Sequence, residues 1–290
     1  MISAAREVKV WIFIMLGALL IWTANWIPSS ISLFQDFATG SLSHWIGGWM
    51  YILMETSGSI AIIVRFIGII IGILLLLLIW KGTKGIFEVK KWIASALILE
   101  GVFYAMVGLP SGVYMMGSGY GGQYKMLGAS FFLQFLFTTP FLIILAIKVY
   151  RYERKPNSAH LWKWVGMTFV GYIAALWAAS TLKWFEMVAS EGLSFFSVAI
   201  RAVGALNSFV FMSLAVVLAV VGAFSLAKRK QSAMRWFGLA LVMVGLHYIV
   251  FVVYSYYGGM LNFAVLAKIW AIPLLGLGLT MLKSNAIKSE

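Results

Sequence analysis

Cysteine is missing from all 290 positions, and only nine residues are acidic. The first absence rules out disulfides, thiolate metal sites, iron–sulfur clusters and thioether-linked haem. The nine carboxylates include no pair at metal-ligand spacing. Histidine is equally scarce. His44 and His160 fall in connecting segments, and only His247 lies inside an apolar run. A bis-imidazole haem would need a second histidine at matching depth, so neither cofactor nor metal is expected, and no catalytic residue stands out. Charged residues of any kind make up 11% of the chain, too few for an ordinary soluble surface.

Apolar length is what the chain has instead. Hydrophobic residues account for 62% of it, and the mean hydropathy is +0.96. Runs long enough to cross about 30 Å of hydrocarbon recur along the sequence. They lie near 10–28, 58–80, 92–110, 127–148, 162–182, 198–227, 236–256 and 261–282, which makes about eight spans. The expected fold is therefore an all-α, polytopic integral membrane protein. The first run, preceded by Arg6 and Lys9, resembles a signal peptide in length, but no small-x-small cleavage site follows it. We read it as a retained span.

The sequence also repeats itself. WIFIMLGALLIWTANWIPSSISLF from Trp11 and WKWVGMTFVGYIAALWAASTLKWF from Trp162 share Trp11/Trp162, Ala24/Ala175, Trp26/Trp177, Ser29/Ser180 and Phe34/Phe185 without a gap. Val64-Arg65-Phe66-Ile67-Gly68 is matched by Ile200-Arg201-Ala202-Val203-Gly204. KWIASALILEGVFY from Lys91 is matched by RWFGLALVMVGLHY from Arg235, and a proline inside an apolar run closes each half, at Pro140 and Pro273. Four blocks in one order imply a tandem duplication, with residues 1–150 and 151–290 as two four-helix repeats of one bundle. An even number of spans per repeat makes the halves parallel, related by an axis along the membrane normal. The segment 148–163 links them, and the loops 29–57 and 111–126 are the main additions of the first half.

Charge sets the orientation. The net charge is +13, and the basic residues cluster at one set of loops: Arg6, Lys9, Lys81, Lys84, Lys90, Lys91, Lys148, Arg151, Arg154, Lys155, Lys163, Lys228, Arg229, Lys230, Arg235, Lys283 and Lys288. The opposite loops hold Lys125 and Lys183 beside Asp36, Glu55, Glu186 and Glu191. The positive-inside rule then places both termini in the cytoplasm, in the plasma membrane of a cell. Short basic loops are not the continuous basic face that nucleic acid requires, so no nucleic-acid partner is expected. Trp11, Trp80, Trp92, Trp162, Trp164 and Trp236 at one interface, with Trp45, Trp49 and Trp184 at the other, read as an aromatic belt.

Gly117-Ser118-Gly119-Tyr120-Gly121-Gly122 matches a dinucleotide fingerprint in letters only, since no strand precedes it. Gly68 and Gly72, with Gly204 and Ser208 at the aligned positions, form small-xxx-small pairs that let helices approach closely. They suggest that the second and sixth spans meet. Pro140 and Pro273 each remove a helical hydrogen bond and favour a kink.

The polar residues inside the spans carry the functional expectation. Counted from the cytoplasmic helix ends, Asn25, Arg65, Gln134 and Lys268 fall roughly 20–25 Å up, His247 roughly 18 Å and Glu100 roughly 14 Å. Arg65 and Lys268 could snorkel to headgroups, as Arg201 is expected to do. Glu100 has no charged neighbour on its own helix, and needs a partner on another helix or a bound proton. Together these six define an expected outward-facing basic site between the repeats. It would suit a small anionic or amphipathic molecule, or a lipid headgroup, in a transporter or permease. The alternatives are a membrane enzyme acting on a lipid-linked substrate through Glu100 or His247, and a non-catalytic subunit of a homo- or hetero-oligomeric complex.

Overall fold

In the computed structural model the protein is all-helical. The structure describes residues 2–24, 27–28, 31–32, 35, 39, 48–81, 88–117, 121–151, 158–188, 195–228, 232–257 and 261–286. Their long helices are α1 (Ile2–Ala24), α2 (Gly48–Trp80), α3 (Lys90–Gly117), α4 (Gly121–Tyr150), α5 (Ser158–Val188), α6 (Phe195–Ala227), α7 (Ala233–Tyr257) and α8 (Leu261–Ala286). Such apolar sequence has to be helical in lipid, because only a helix satisfies its backbone groups within one segment. Six helices, α2 to α7, are long and apolar enough to cross a membrane. In α1 and α8 the apolar stretches among the described residues are shorter, Lys9–Ile21 and Ala271–Lys283.

The helices close into a ring in chain order. Each packs extensively on its chain neighbours, and α8 packs on α1. Neighbours run antiparallel: Gly101 faces Leu142 while Gly112 faces Phe132 across α3 and α4, and Gly238 faces Gly278 while Gly245 faces Leu275 across α7 and α8. Lys81, Lys91, Arg151, Lys163, Lys228, Arg235 and Lys283 therefore lie, exposed, at one end of the ring, its basic end.

The ring is small inside and large outside. On α6, Gly204, Ala205, Ser208, Met212, Ala215 and Ala219 are buried, whereas Leu206, Val210, Leu214, Val217, Val221 and Phe224 are exposed. On α2, Ser57, Ala61, Arg65 and Gly68 are buried, with Ile60, Ile63, Ile67 and Leu74 exposed. Large aliphatic side chains pointing out and small ones pointing in suit a helix with lipid on one side and protein on the other.

Three expectations change here. The second and sixth spans are not packing partners: α2 lies against α1 and α3, and α6 against α5 and α7. Gly68 admits Leu99 of α3, but nothing stands within 4 Å of the position a Cβ on Gly72 would take. A small residue permits a close approach without choosing the neighbour, and short connections bring the next helix in the chain. The glycine-rich loop expected over 111–126 is mostly helix, since α3 continues through Pro110 to Gly117 and α4 begins at Gly121. Backbone contact holds that extension together: a Cβ on Gly108 would lie 2.7 Å from the Phe131 carbonyl, and one on Gly128 would lie 2.8 Å from the Met116 amide. Gly108 and Gly112 thus form a working small-xxx-small pair. Finally, Pro140 and Pro273 both lie within helices, but Pro140 is exposed and Pro273 fully buried.

Candidate functional site

Arg65 of α2 points into the bundle. It is 7% exposed, and its Nη2 donates to Oε1 of Glu100 on α3 at 2.9 Å. Glu100 has no charged neighbour on its own helix, so its partner comes from the adjoining one. Gly68 meets Leu99 on the same two helices, so the antiparallel register sets Arg65 and Glu100 within about one helical turn of each other. The guanidinium also lies over the Phe103 ring, 4.1 Å from its centroid, and 5.6 Å from that of Tyr104. Electron-rich ring faces attract the cation and replace part of its lost hydration.

Tyrosines from the other half of the chain complete the layer. Tyr172 of α5 meets Tyr104 edge-to-face at 5.8 Å, which brings it near the Glu100 carboxylate. Tyr248 of α7 is within electrostatic range of Tyr104. Buried tyrosines need hydrogen-bond partners for their hydroxyls, and an ion pair close by offers both a donor and an acceptor. Sequence reasoning missed Phe103, Tyr104, Tyr172 and Tyr248. The available signal was that Tyr104 and Tyr248 occupy matched positions in the repeat, deep in their helices and away from the interfaces that tyrosine favours.

His247 is 1% exposed and its Nδ1 pairs with the Ser208 hydroxyl of α6 at 3.4 Å. Ser208, expected to be a packing residue, is thus also a polar partner. Removing its hydroxyl should cost about 1 kcal/mol, because His247 then has one unsatisfied ring nitrogen in the interior. A thermal melt of Ser208→Ala in detergent reads this loss, and an unchanged melting temperature would show that the pairing contributes nothing.

The remaining expected site residues are not part of this cluster as described. Gln134 turns to its own helix: its side-chain amide donates to Ser130 Oγ at 3.3 Å, while its backbone carbonyl accepts from the Thr138 hydroxyl at 2.6 Å. Asn25 lies outside the described residues. Lys268 belongs to α8, but its side chain lies outside them, as does that of Arg201. Among the described residues, the ionic part of the layer is therefore one cation facing one anion. Glu100 and His247, the acid–base pair of the enzyme alternative, have separate partners on α2 and α6.

The surroundings differ on the two sides of the layer. Toward the basic end, Met212, Ala215, Ala219, Phe237, Leu241, Val244, Leu274 and Leu277 form one buried apolar core joining α6, α7 and α8. Toward the opposite end the buried side chains include small hydroxyls, Thr23, Ser57, Ser59, Ser111, Ser130 and Thr181, while the basic side holds Thr168 and Thr280, each bonded back to its own helix. Two of the former also bond back to their own helix, Thr23 to the Leu19 carbonyl and Ser57 to that of Met54. The Thr181 hydroxyl is buried with no hydrogen-bond partner among the described residues. Compared with known proteins, the chain matches no protein-family model, none of the curated proteins and none of the solved structures.

Proposed function

We propose that the chain is a permease-like protein of about eight spans, with both termini cytoplasmic and a solute site between two parallel four-helix repeats. The observation that carries this reading is the Arg65–Glu100 pair, buried in the bundle and met by Tyr172 from the second half. An ion pair removed from water is costly, and hydrophobic side chains of similar volume would stabilise a bundle at least as well. Ionisable groups deep in a membrane protein usually mark a pathway for solute or proton. The apolar core on the basic side acts as a floor, and the hydroxyl-lined region opposite offers the route in. In a plasma membrane that route opens outward.

The duplication is supported by matched contacts. In the alignment Gly101 corresponds to Gly245 and Leu142 to Leu275, and Gly101 faces Leu142 as Gly245 faces Leu275. The ring order fits the same rule, since α4 on α5 corresponds to α8 on α1. The seams between halves are then these two contacts, one passing Gly171 against Phe137 and the other Gly276 against Trp11. The exposed aliphatic stripes of α2 and α6 face the lipid bilayer as the principal partner.

The missing cysteines make the test clean, because any introduced thiol is the only one. Ser59→Cys, Thr181→Cys and Tyr104→Cys should react with an impermeant thiol reagent added outside intact cells, and Ala219→Cys in the floor should not. Protection of all three, or equal labelling of Ala219→Cys, would overturn the pathway.

A further inference from the structure

Arg65 is 7% exposed and faces into the bundle. Buried there, a net charge is penalised far more than a neutral pair, because little water reaches it to compensate. Resting on the permease reading above, we propose that this site binds an amphipathic monoanion, a carboxylate or sulfonate solute, on Arg65 together with one proton on Glu100. The anion takes the place of the Glu100 carboxylate at the guanidinium. If Glu100 stayed ionised, the site would hold one excess negative charge; with a proton it is neutral again. The proton arrives from the aqueous side that delivers the anion, settles on a Glu100 carboxylate oxygen, and leaves with the anion. No other bond forms or breaks.

The neighbours leave Glu100 as the proton acceptor. Arg65 on α2 is protonated throughout. Tyr104 on α3, Tyr172 on α5 and Tyr248 on α7 are phenols that already hold their protons near neutrality. Helix α4 has no titratable residue between Lys125 and Lys148, and His247 faces Ser208 on α6. A tyrosine hydroxyl can donate to a carboxylate or accept from a carboxyl, so a phenol beside Glu100, such as Tyr172, can satisfy it in both forms. One guanidinium matches one anionic charge, and the rings of Phe103, Tyr104 and Tyr172 match an apolar or aromatic body.

Calorimetry with benzenesulfonate, which carries no proton of its own between pH 5 and 8, tests this on the full chain in phosphatidylcholine nanodiscs. Comparing buffers of different ionisation enthalpy should show about one proton taken up per probe bound. The complex holds one more proton than the free site, so affinity rises as pH falls, by about tenfold per unit until free Glu100 is itself protonated. Glu100→Gln should bind without proton uptake and without pH dependence, since the amide stands in for a neutral carboxyl. His247→Phe should keep the wild-type proton uptake. Arg65→Gln/Glu100→Gln, neutral and therefore foldable, should bind about a hundredfold more weakly than Glu100→Gln.

Binding by the wild type with no proton uptake would overturn the coupling while the permease reading stands. So would pH dependence that persists in Glu100→Gln. No binding by a protein whose Ser59→Cys and Tyr104→Cys variants label would overturn the anion class alone, whereas failure of that labelling would remove the reading beneath it. Displacement of the probe by phosphatidylglycerol in the disc would overturn the solute assignment.

Discussion

Arg65→Gln should destabilise the protein by about 3–5 kcal/mol, the usual consequence of removing one member of a buried ion pair. The glutamine retains a donor but not the charge, so the Glu100 carboxylate keeps its desolvation penalty without the attraction that offset it. Glu100→Gln should also destabilise, through the mirror-image defect on Arg65, although the guanidinium keeps its contact with the Phe103 ring. The double substitution should recover most of the loss, because it leaves no uncompensated charge. A cycle of denaturation midpoints in one detergent measures the coupling, which should exceed about 2 kcal/mol. Additive effects would mean that each side chain is stabilised by other groups and that the 2.9 Å contact contributes little.

Gly108→Val and Gly278→Val should each cost about 3 kcal/mol, the upper part of the range for overpacking. At Gly278 a Cβ would stand 2.7 Å from the Gly238 carbonyl, and at Gly108 it would stand 2.7 Å from both the Phe131 carbonyl and the Phe135 Cβ. Backbone carbonyls within helices cannot turn aside as a flexible side chain can, so two whole helices must separate. Gly72→Ala has open space and should be neutral or slightly stabilising, because alanine is the better helix former. Fluorescence-detected size exclusion after a heat step separates these outcomes. Valine tolerated at Gly108 with alanine harmful at Gly72 would reverse the assignment of which glycines join helices.

The small-residue pairs show where sequence reasoning stopped. Gly68/Gly72 and Gly108/Gly112 have the same spacing in similarly apolar surroundings, and spacing alone favoured the first. The second pair straddles Pro110, where the span expected over 92–110 ends. What decided the matter was the neighbour. Gly112 faces Phe132 across an antiparallel partner, and that partner's own small residue, Gly128, lets the backbones meet. A proline in α3 is tolerated because that packing holds the chain helical on both sides of it.

By itself the sequence determined that the chain forms apolar helices, how many there are to within the short ends of α1 and α8, and which helix ends carry the positive charge. These follow from local physics: the length of a hydrophobic run, the need to satisfy each backbone group within its own segment, and the placement of lysine and arginine. It also drew attention to Arg65, Glu100 and His247, because ionisable residues are rare in such runs. Only the tertiary structure decided their partners. That Arg65 belongs to Glu100, that Tyr172 comes from the other half, and that Ser208 holds His247 depend on which helices adjoin and how each is rotated about its axis. Depth along a helix is fixed by counting residues, but rotation and neighbour are fixed by packing. Packing joins residues 35 to 39 positions apart in the chain, a separation over which no local pattern carries information.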